Sequence, residues 1–358
     1  MKILVTGAAG FIGSYVCRAL INRGDDVVGI DNFSDYYKKD CKLFNLDLLN
    51  LNSGKTATFF DSKVVLPVFE KIQSYYTETN SNKGNFKFVE LDILDFEAVN
   101  KLFLVEKPDA VVHLAAMAGV PLSVKFPRLY SNVNVNGTTN LLEASKSVGL
   151  KKFVFGSSSS VYGDVGGAVV KESDDVMHAV SPYGATKVAG EVLSHAASVV
   201  YGIPVVVDRI FGPIYGPLQR PYGMMMQRAI NYTYNGKTVQ IYGRKGMDSA
   251  KDSTYIDDQV AGILLCLDHD TKFEVFNIGT SDPRSIRDWF SAIEIVMGKP
   301  VPFEIVNVDK GDVASSADIS KAKNVLGYKP SMTLEEGVKR QVEVFSLMPE
   351  WYKTLSEV

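Results

Sequence analysis

Along the first 31 positions the spacing of apolar residues changes twice. Lys2–Gly7 is a short β-branched run, and Phe11–Arg23 repeats its apolar residues at helical spacing before stopping at Gly24. Asp26–Ile30 reads as a second strand, apolar after its first residue. This order predicts strand, helix and strand in one βαβ unit. The strand signature returns at Phe86–Glu90, Ala110–Leu114, Lys152–Phe155 and Ile203–Val207, with helical stretches at Phe96–Glu106, Leu129–Val148 and after Tyr183. Such alternation predicts an α/β fold, a doubly wound parallel sheet. Between Tyr36 and Asn85 the rhythm breaks: polar turns at Asn52–Lys55 and Thr79–Asn85 bracket one helical run, Val64–Tyr76. That span exceeds an ordinary strand-to-helix loop and predicts an insertion over about residues 38–85. From Pro213 onward, Gly- and Pro-rich loops alternate with short elements. The expected division is a first domain over 1–180, joined by returning segments near 203–212 and 252–270. Residues 181–358 then form mainly a smaller C-terminal lobe.

Composition narrows the function classes. The chain has 358 residues, 22% of them charged, and a net charge of -3, which offers no general attraction to nucleic acid or anionic membrane. Its three cysteines, Cys17, Cys41 and Cys266, have neither CxxC spacing nor clustered histidines. They predict no disulfide framework and no metal site, and they suit a reducing compartment. No apolar run approaches the roughly 20 residues of a membrane span, and the opening residues already read as a core strand. The expected location is the cytoplasm.

Gly7, Gly10 and Gly13 form a GxxGxxG loop between the first strand and first helix. The first glycine permits the tight turn, the second lets the backbone approach a pyrophosphate, and the third allows close helix–strand packing. The pyrophosphate would rest on the helix-start amides, at Phe11 and Ile12. Asp31 ends the second strand, where a carboxylate accepts hydrogen bonds from ribose hydroxyls and repels a 2′-phosphate. With no arginine beside it in the sequence, NAD is expected over NADP. Together these features predict a Rossmann-type dinucleotide domain.

Tyr183 and Lys187 stand four apart in Ser-Pro-Tyr-Gly-Ala-Thr-Lys at the start of a helix, hence on one face. A nearby ammonium and an oxidised nicotinamide both favour phenolate; lowering the phenol by about 3 pKa units is worth roughly 4 kcal/mol. Tyr183 is then a candidate base for a sugar hydroxyl. Upstream, Ser157-Ser158-Ser159-Ser160-Val161-Tyr162-Gly163 follows a strand, at the end where parallel sheets bind ligands. Ser158 is placed to pass a proton between the reacting oxygen and Tyr183.

These motifs together resemble the extended short-chain dehydrogenase/reductase family, the nucleotide-sugar epimerases, dehydratases and decarboxylases. The likeness also takes in His113-Leu114-Ala115-Ala116, Asn134-Val135-Asn136-Gly137-Thr138, Tyr255-Ile256-Asp257-Asp258, Phe276-Asn277-Ile278-Gly279, Gly311-Asp312-Val313 and Leu326-Gly327-Tyr328. It implies that Asp92 and Ile93 flank adenine and that Leu114, Ala115 and Ala116 line the cofactor. Asn32 and Asn134 join that site. It further implies that Lys187 orients the nicotinamide ribose and keeps Tyr183 acidic, and that the protein is a homodimer paired through helices around Leu129–Val148 and Tyr183–Val200.

Asp31-Asn32-Phe33-Ser34-Asp35-Tyr36-Tyr37, Ala118-Gly119-Val120, the four serines and Gln219-Arg220-Pro221 are most similar to UDP-glucuronate 4-epimerases. In that resemblance Ser159 and Ser160 hold the uronate carboxylate, Arg220 helps place the substrate, and Lys251 stands where an arginine commonly meets the diphosphate. The dehydratases carry an Asp-Glu pair at 159–160 and the decarboxylases a Glu at 160; this chain has hydroxyls. The expected reaction is NAD-dependent epimerisation at carbon 4 of UDP-glucuronate through a 4-keto sugar. The alternatives are epimerisation of UDP-glucose or UDP-N-acetylglucosamine, decarboxylation of UDP-glucuronate, or a non-catalytic NAD-binding protein. The stretch Arg209-Ile210-Phe211-Gly212-Pro213-Ile214-Tyr215-Gly216 has one residue more than the family pattern and lacks its polar Thr or Asn.

Overall fold

The computed structural model describes residues 1–76, 83–220, 224–243, 245–306 and 316–355. Seven strands build the central sheet: β1 (Lys2–Thr6), β2 (Asp26–Asp31), β3 (Phe86–Glu90), β4 (Ala110–His113), β5 (Lys152–Gly156), β6 (Val205–Ile210) and β7 (Phe273–Ile278). Their spatial order is β3-β2-β1-β4-β5-β6-β7, every pair parallel. The order reverses at β1, and the crevice beyond the strand ends at such a switch point is where ligands bind. Ile3, Leu4 and Val5 are all buried because helices cover both faces. Ile3, Val5, Val112, Val154 and Val206 fill one core layer, and Leu4, Val111, Phe153, Val205 and Val207 fill the other.

The strand expected at Ile203–Val207 begins at Val205, since Pro204 has no amide for the ladder and lends only its carbonyl, to the Phe153 amide at 2.8 Å. The sheet also takes back Phe273–Ile278, beyond the two returning segments expected from the sequence. Helix α1 (Phe11–Arg23) ends at Gly24 in the left-handed conformation, as its pattern predicts.

The insertion holds two helices where one was expected, α2 (Lys39–Asn52) and α3 (Ser62–Gln73). Between them the fully buried Asp47 accepts the amides of Thr58, Phe59 and Phe60 at 2.5, 3.0 and 2.8 Å, folding the connector back. Phe60 stacks on Trp351 with centroids 5.8 Å apart, and Tyr75 donates to Glu343 at 2.8 Å, so the insertion braces the C-terminal helices. Of the expected Thr79–Asn85 turn, residues 79–82 lie outside the described residues, as do Gly311-Asp312-Val313 and Pro221.

After β3 come α4 (Phe96–Glu106), a stretch broken into Pro127–Ser131 and a π turn at Asn132–Asn136, and α5 (Gly137–Ser145). The sequence reads as one helix over Leu129–Val148. The π turn interrupts it where Asn134 faces inward and Thr138 back-bonds to the Asn134 carbonyl at 2.6 Å. Helix α6 (Pro182–Tyr201) is capped by Ser181, which accepts the Gly184 amide at 3.0 Å, with Pro182 in its first turn. The C-terminal part carries two short strand pairs, Val239–Tyr242 with Phe303–Val306 and Ala250–Asp252 with Pro283–Ser285.

Candidate active site

The glycine loop lies between β1 and α1 with no room for side chains. Gly7 has φ +72, and a Cβ there would stand 3.0 Å from the Ala115 nitrogen; at Gly13 it would stand 2.1 Å from the Gly7 carbonyl. Gly10 caps α1 without a side chain, and the first turn carries no acid, so the amide end at Phe11 and Ile12 keeps its positive character. This cradle fits a dinucleotide pyrophosphate. Gly13→Ala is expected to destabilise the fold by about 1–3 kcal/mol through overpacking and to strip bound dinucleotide. Thermal unfolding and cofactor content after gel filtration check this; an unchanged variant contradicts the packing role.

Asp31 sits at the end of β2, where a ribose would lie. Its Oδ1 accepts the Phe33 amide at 2.8 Å and the Lys42 ammonium at 3.0 Å, both members of the pair being buried. No arginine flanks Asp31, but a lysine from α2 does, eleven residues on, which reading the adjacent sequence did not supply. Asn32 donates to Asp92 at 3.0 Å, and Ile93 packs against Gly137.

Behind the loop after β4, Thr6 accepts the Leu114 and Ala115 amides at 3.1 and 3.0 Å. Its hydroxyl proton therefore goes to His113 Nδ1 at 2.8 Å, leaving Nε2–H to meet Thr138 at 3.0 Å. Burial pushes the imidazole down to about 3, which keeps this neutral tautomer throughout the working range. The Asn134 amide accepts from Met117 N at 2.8 Å and donates to Met117 O and Thr186 at 3.0 and 2.9 Å. It thereby ties the loop carrying Ala116 to α6.

The catalytic candidates converge at the mouth of this crevice. Ser158 ends the connection from β5, and its hydroxyl donates to Ser160 at 3.2 Å at the start of a short 3-10 turn that includes Ser159. From α6, the Lys187 ammonium donates to the Gly156 carbonyl at 2.7 Å and stands 5.9 Å from the Tyr183 ring centre. One turn further, Glu191 accepts Ser157 at 2.5 Å and forks with Arg209, the closest contact 2.8 Å.

Burial raises Tyr183 above the ordinary phenol value, while the Ser158 hydroxyl and the Arg220 guanidinium pull it down. Arg220 thus adds a second cation near the phenol, beside the Lys187 ammonium 5.9 Å from its ring centre. Burial lowers Lys187 itself to about 8, against the upward pull of Glu191 and Asp208. The ammonium is therefore lost on the alkaline side, and kcat/KM is expected to fall above about pH 8. Since an unfolded lysine keeps its proton to about 10.5, this group's contribution to folding rises with pH from about 8 to 10.5. A pH–rate profile checks this. Lys187→Arg should abolish that alkaline limb; a limb surviving in the arginine variant assigns it elsewhere.

Arg220 lies over the Tyr36 ring, its Cζ 4.7 Å from the ring centre. Lys251 lies in the Ala250–Asp252 strand, opposite Arg284, which pairs with Asp282 at 2.5 Å. Sequence reasoning missed Lys42 and Tyr130 as neighbours of the site. Tyr130 lies four residues before Asn134, a helical spacing that places both on one inward face.

A seven-stranded parallel sheet with a glycine cradle at its switch point is the arrangement of a dinucleotide-binding enzyme fold. The chain belongs to the NAD-dependent epimerase/dehydratase family, whose model matches residues 3–279. It is 36% identical over 341 residues to a UDP-glucuronate 4-epimerase of Thermodesulfobacterium geofontis, covering 95% of this chain and 94% of that one. A crystal structure of UDP-glucuronic acid 4-epimerase from Bacillus cereus, in complex with UDP-glucuronic acid and NAD, superposes with a TM-score of 0.79 at 36% identity, covering 97% of this chain and all of that one. The UDP-glucose 4-epimerase of Thermotoga maritima, with UDP-glucose, gives a TM-score of 0.77 at 33% identity over 97% and 99% of the two chains.

Proposed function

We propose that this protein is an NAD-dependent UDP-sugar 4-epimerase that interconverts UDP-glucuronate and UDP-galacturonate. The observation that carries the reading is the convergence of Tyr183, Ser158 and Lys187 beside the glycine cradle, with hydroxyls at 159 and 160 in place of acids. Similarity to UDP-glucuronate 4-epimerases over nearly the whole chain supports the substrate.

Bound NAD supplies an oxidised nicotinamide able to take a hydride from carbon 4 and give it back. Tyr183 removes the 4-hydroxyl proton, with Ser158 bridging the sugar oxygen and the phenol, and returns it once the 4-keto sugar has turned over. Lys187, pinned by the Gly156 carbonyl, holds the nicotinamide ribose. Ser159 and Ser160 receive the carboxylate as neutral donors, without like-charge repulsion. Asp31 holds the adenosine ribose, and Arg220 and Lys251 meet the substrate's phosphates.

Incubation with UDP-glucuronate followed by proton NMR tests this. The expected product is UDP-galacturonate, unchanged in mass. A pentose product means decarboxylation. Conversion of UDP-glucose or UDP-N-acetylglucosamine alone removes the uronate assignment, a reading favoured by the apolar Gly212-Pro213-Ile214 where a polar residue is usual.

The homodimer belongs to the same reading. Val124, Phe126 and Leu129 beside α6, and Val192, Val199 and Val200 upon it, expose apolar side chains, Val199 to 71%. A second copy paired through these helices would cover them. Sedimentation should give twice the chain mass, and Val124→Glu with Val199→Glu should give monomers; a monomeric parent protein rules the dimer out.

A further inference from the structure

Tyr36 opens the insertion, yet its side chain belongs to the catalytic crevice. Its hydroxyl donates to the Ala118 carbonyl at 2.6 Å, and the same carbonyl accepts the Tyr130 hydroxyl at 2.5 Å. The Tyr130 ring stands edge-on to Tyr183, with centroids 6.3 Å apart at 84°. The loop passes so close to Tyr36 that a Cβ on Gly119, at φ +91, would lie 2.9 Å from the phenol oxygen. The face of the Tyr36 ring carries the Arg220 guanidinium. One side chain thus joins the start of the insertion, the loop after β4 and the segment holding Arg220, all around the reacting phenol.

A guanidinium on a four-bond stem has many rotamers, and a flat aromatic face selects among them. We propose that Tyr36 is a positioning residue for the substrate: its ring seats Arg220 to meet the negative charge of the nucleotide-sugar, and its hydroxyl fixes the ring by anchoring it to Ala118. The proposal rests on the UDP-sugar reading above. The chain of contacts from Arg220 through Tyr36, Ala118 and Tyr130 to the Tyr183 ring ties the pair to the reacting phenol.

The test is a double-mutant cycle on UDP-glucuronate affinity, measured by calorimetry in a Tyr183→Phe background that prevents turnover. Tyr36→Leu is expected to weaken binding about 5- to 30-fold, the range of a partly desolvated cation–aromatic contact. Tyr36→Phe keeps the ring and should retain most of the affinity. The Tyr36→Leu, Arg220→Met double variant should bind within about twofold of Arg220→Met alone. Equal NAD content across the set excludes a general structural effect. Should the leucine variant not fold, Tyr36→Met replaces it, giving apolar bulk without an aromatic face. Tyr36→Leu binding like the parent, or two single losses that multiply independently, overturns the proposal while leaving the epimerase reading in place. A parent protein that binds neither UDP-glucuronate nor UDP brings both down.

Discussion

Tyr183→Phe is expected to lower turnover by about 10²- to 10⁴-fold, the contribution of a positioned acid–base group, while bound NAD and UDP-sugar affinity stay near parental levels. The substitution removes one oxygen and leaves the ring against Tyr130, so the surrounding packing is retained. Burial raises the phenol while Ser158 and Arg220 oppose it, and the positive charge of a bound, oxidised nicotinamide would favour ionisation further. Single-turnover transfer to NAD, followed by nicotinamide absorbance, should fall with the steady-state rate. Turnover within threefold of parental would remove Tyr183 from proton transfer.

The second large effect lies one helical turn behind Lys187. Glu191 and Arg209 form a buried ion pair, their side chains 8% and 5% exposed. Arg209 additionally donates to the Tyr162 hydroxyl at 2.8 Å and the Glu172 carbonyl at 3.2 Å. Glu191→Ala would leave that guanidinium buried without its counter-charge, and a loss of about 3–5 kcal/mol is expected. Urea unfolding measures it. Paired replacement of Glu191 and Arg209 by apolar residues should recover much of the loss; a single variant as stable as the parent would show that the pair contributes little.

The sequence states β1, α1 and β2 almost to the residue, because their apolar periods are uninterrupted and Gly24 ends the helix. Helix α2 was illegible for a physical reason. It is buried on nearly every side, and among its buried residues are Lys42, Asn45 and Asp47, whose polar groups are satisfied by Asp31, by the Ala9 carbonyl at 2.9 Å and by backbone amides. A helix buried all round, with polar residues among its buried positions, does not register as amphipathic periodicity. Strand β7 was obscured likewise by Glu274 and Asn277, the latter accepting the Tyr162 hydroxyl inside the core at 2.6 Å. Among the candidate site residues, spacing alone pairs Tyr183 with Lys187, whereas Ser158 is picked from four serines by its place after a strand and by the family resemblance. Spacing could not give the direction of the ammonium, which turns to Gly156, nor bring Arg220 from 37 residues away to act on the phenol. Such contacts are tertiary, set by the crossover of the sheet.

The brace between insertion and C-terminus has a consequence for biosynthesis. Phe44 and Phe60 close on Trp351, with centroids 6.5 and 5.8 Å away. On the ribosome, at about 5–20 residues per second, those two rings emerge roughly 15–60 s before their indole lid exists. During that interval the nascent Rossmann half presents a sticky aromatic face, the kind of surface chaperones clasp. Release into the native state must therefore wait until the residues around Trp351 have been synthesised.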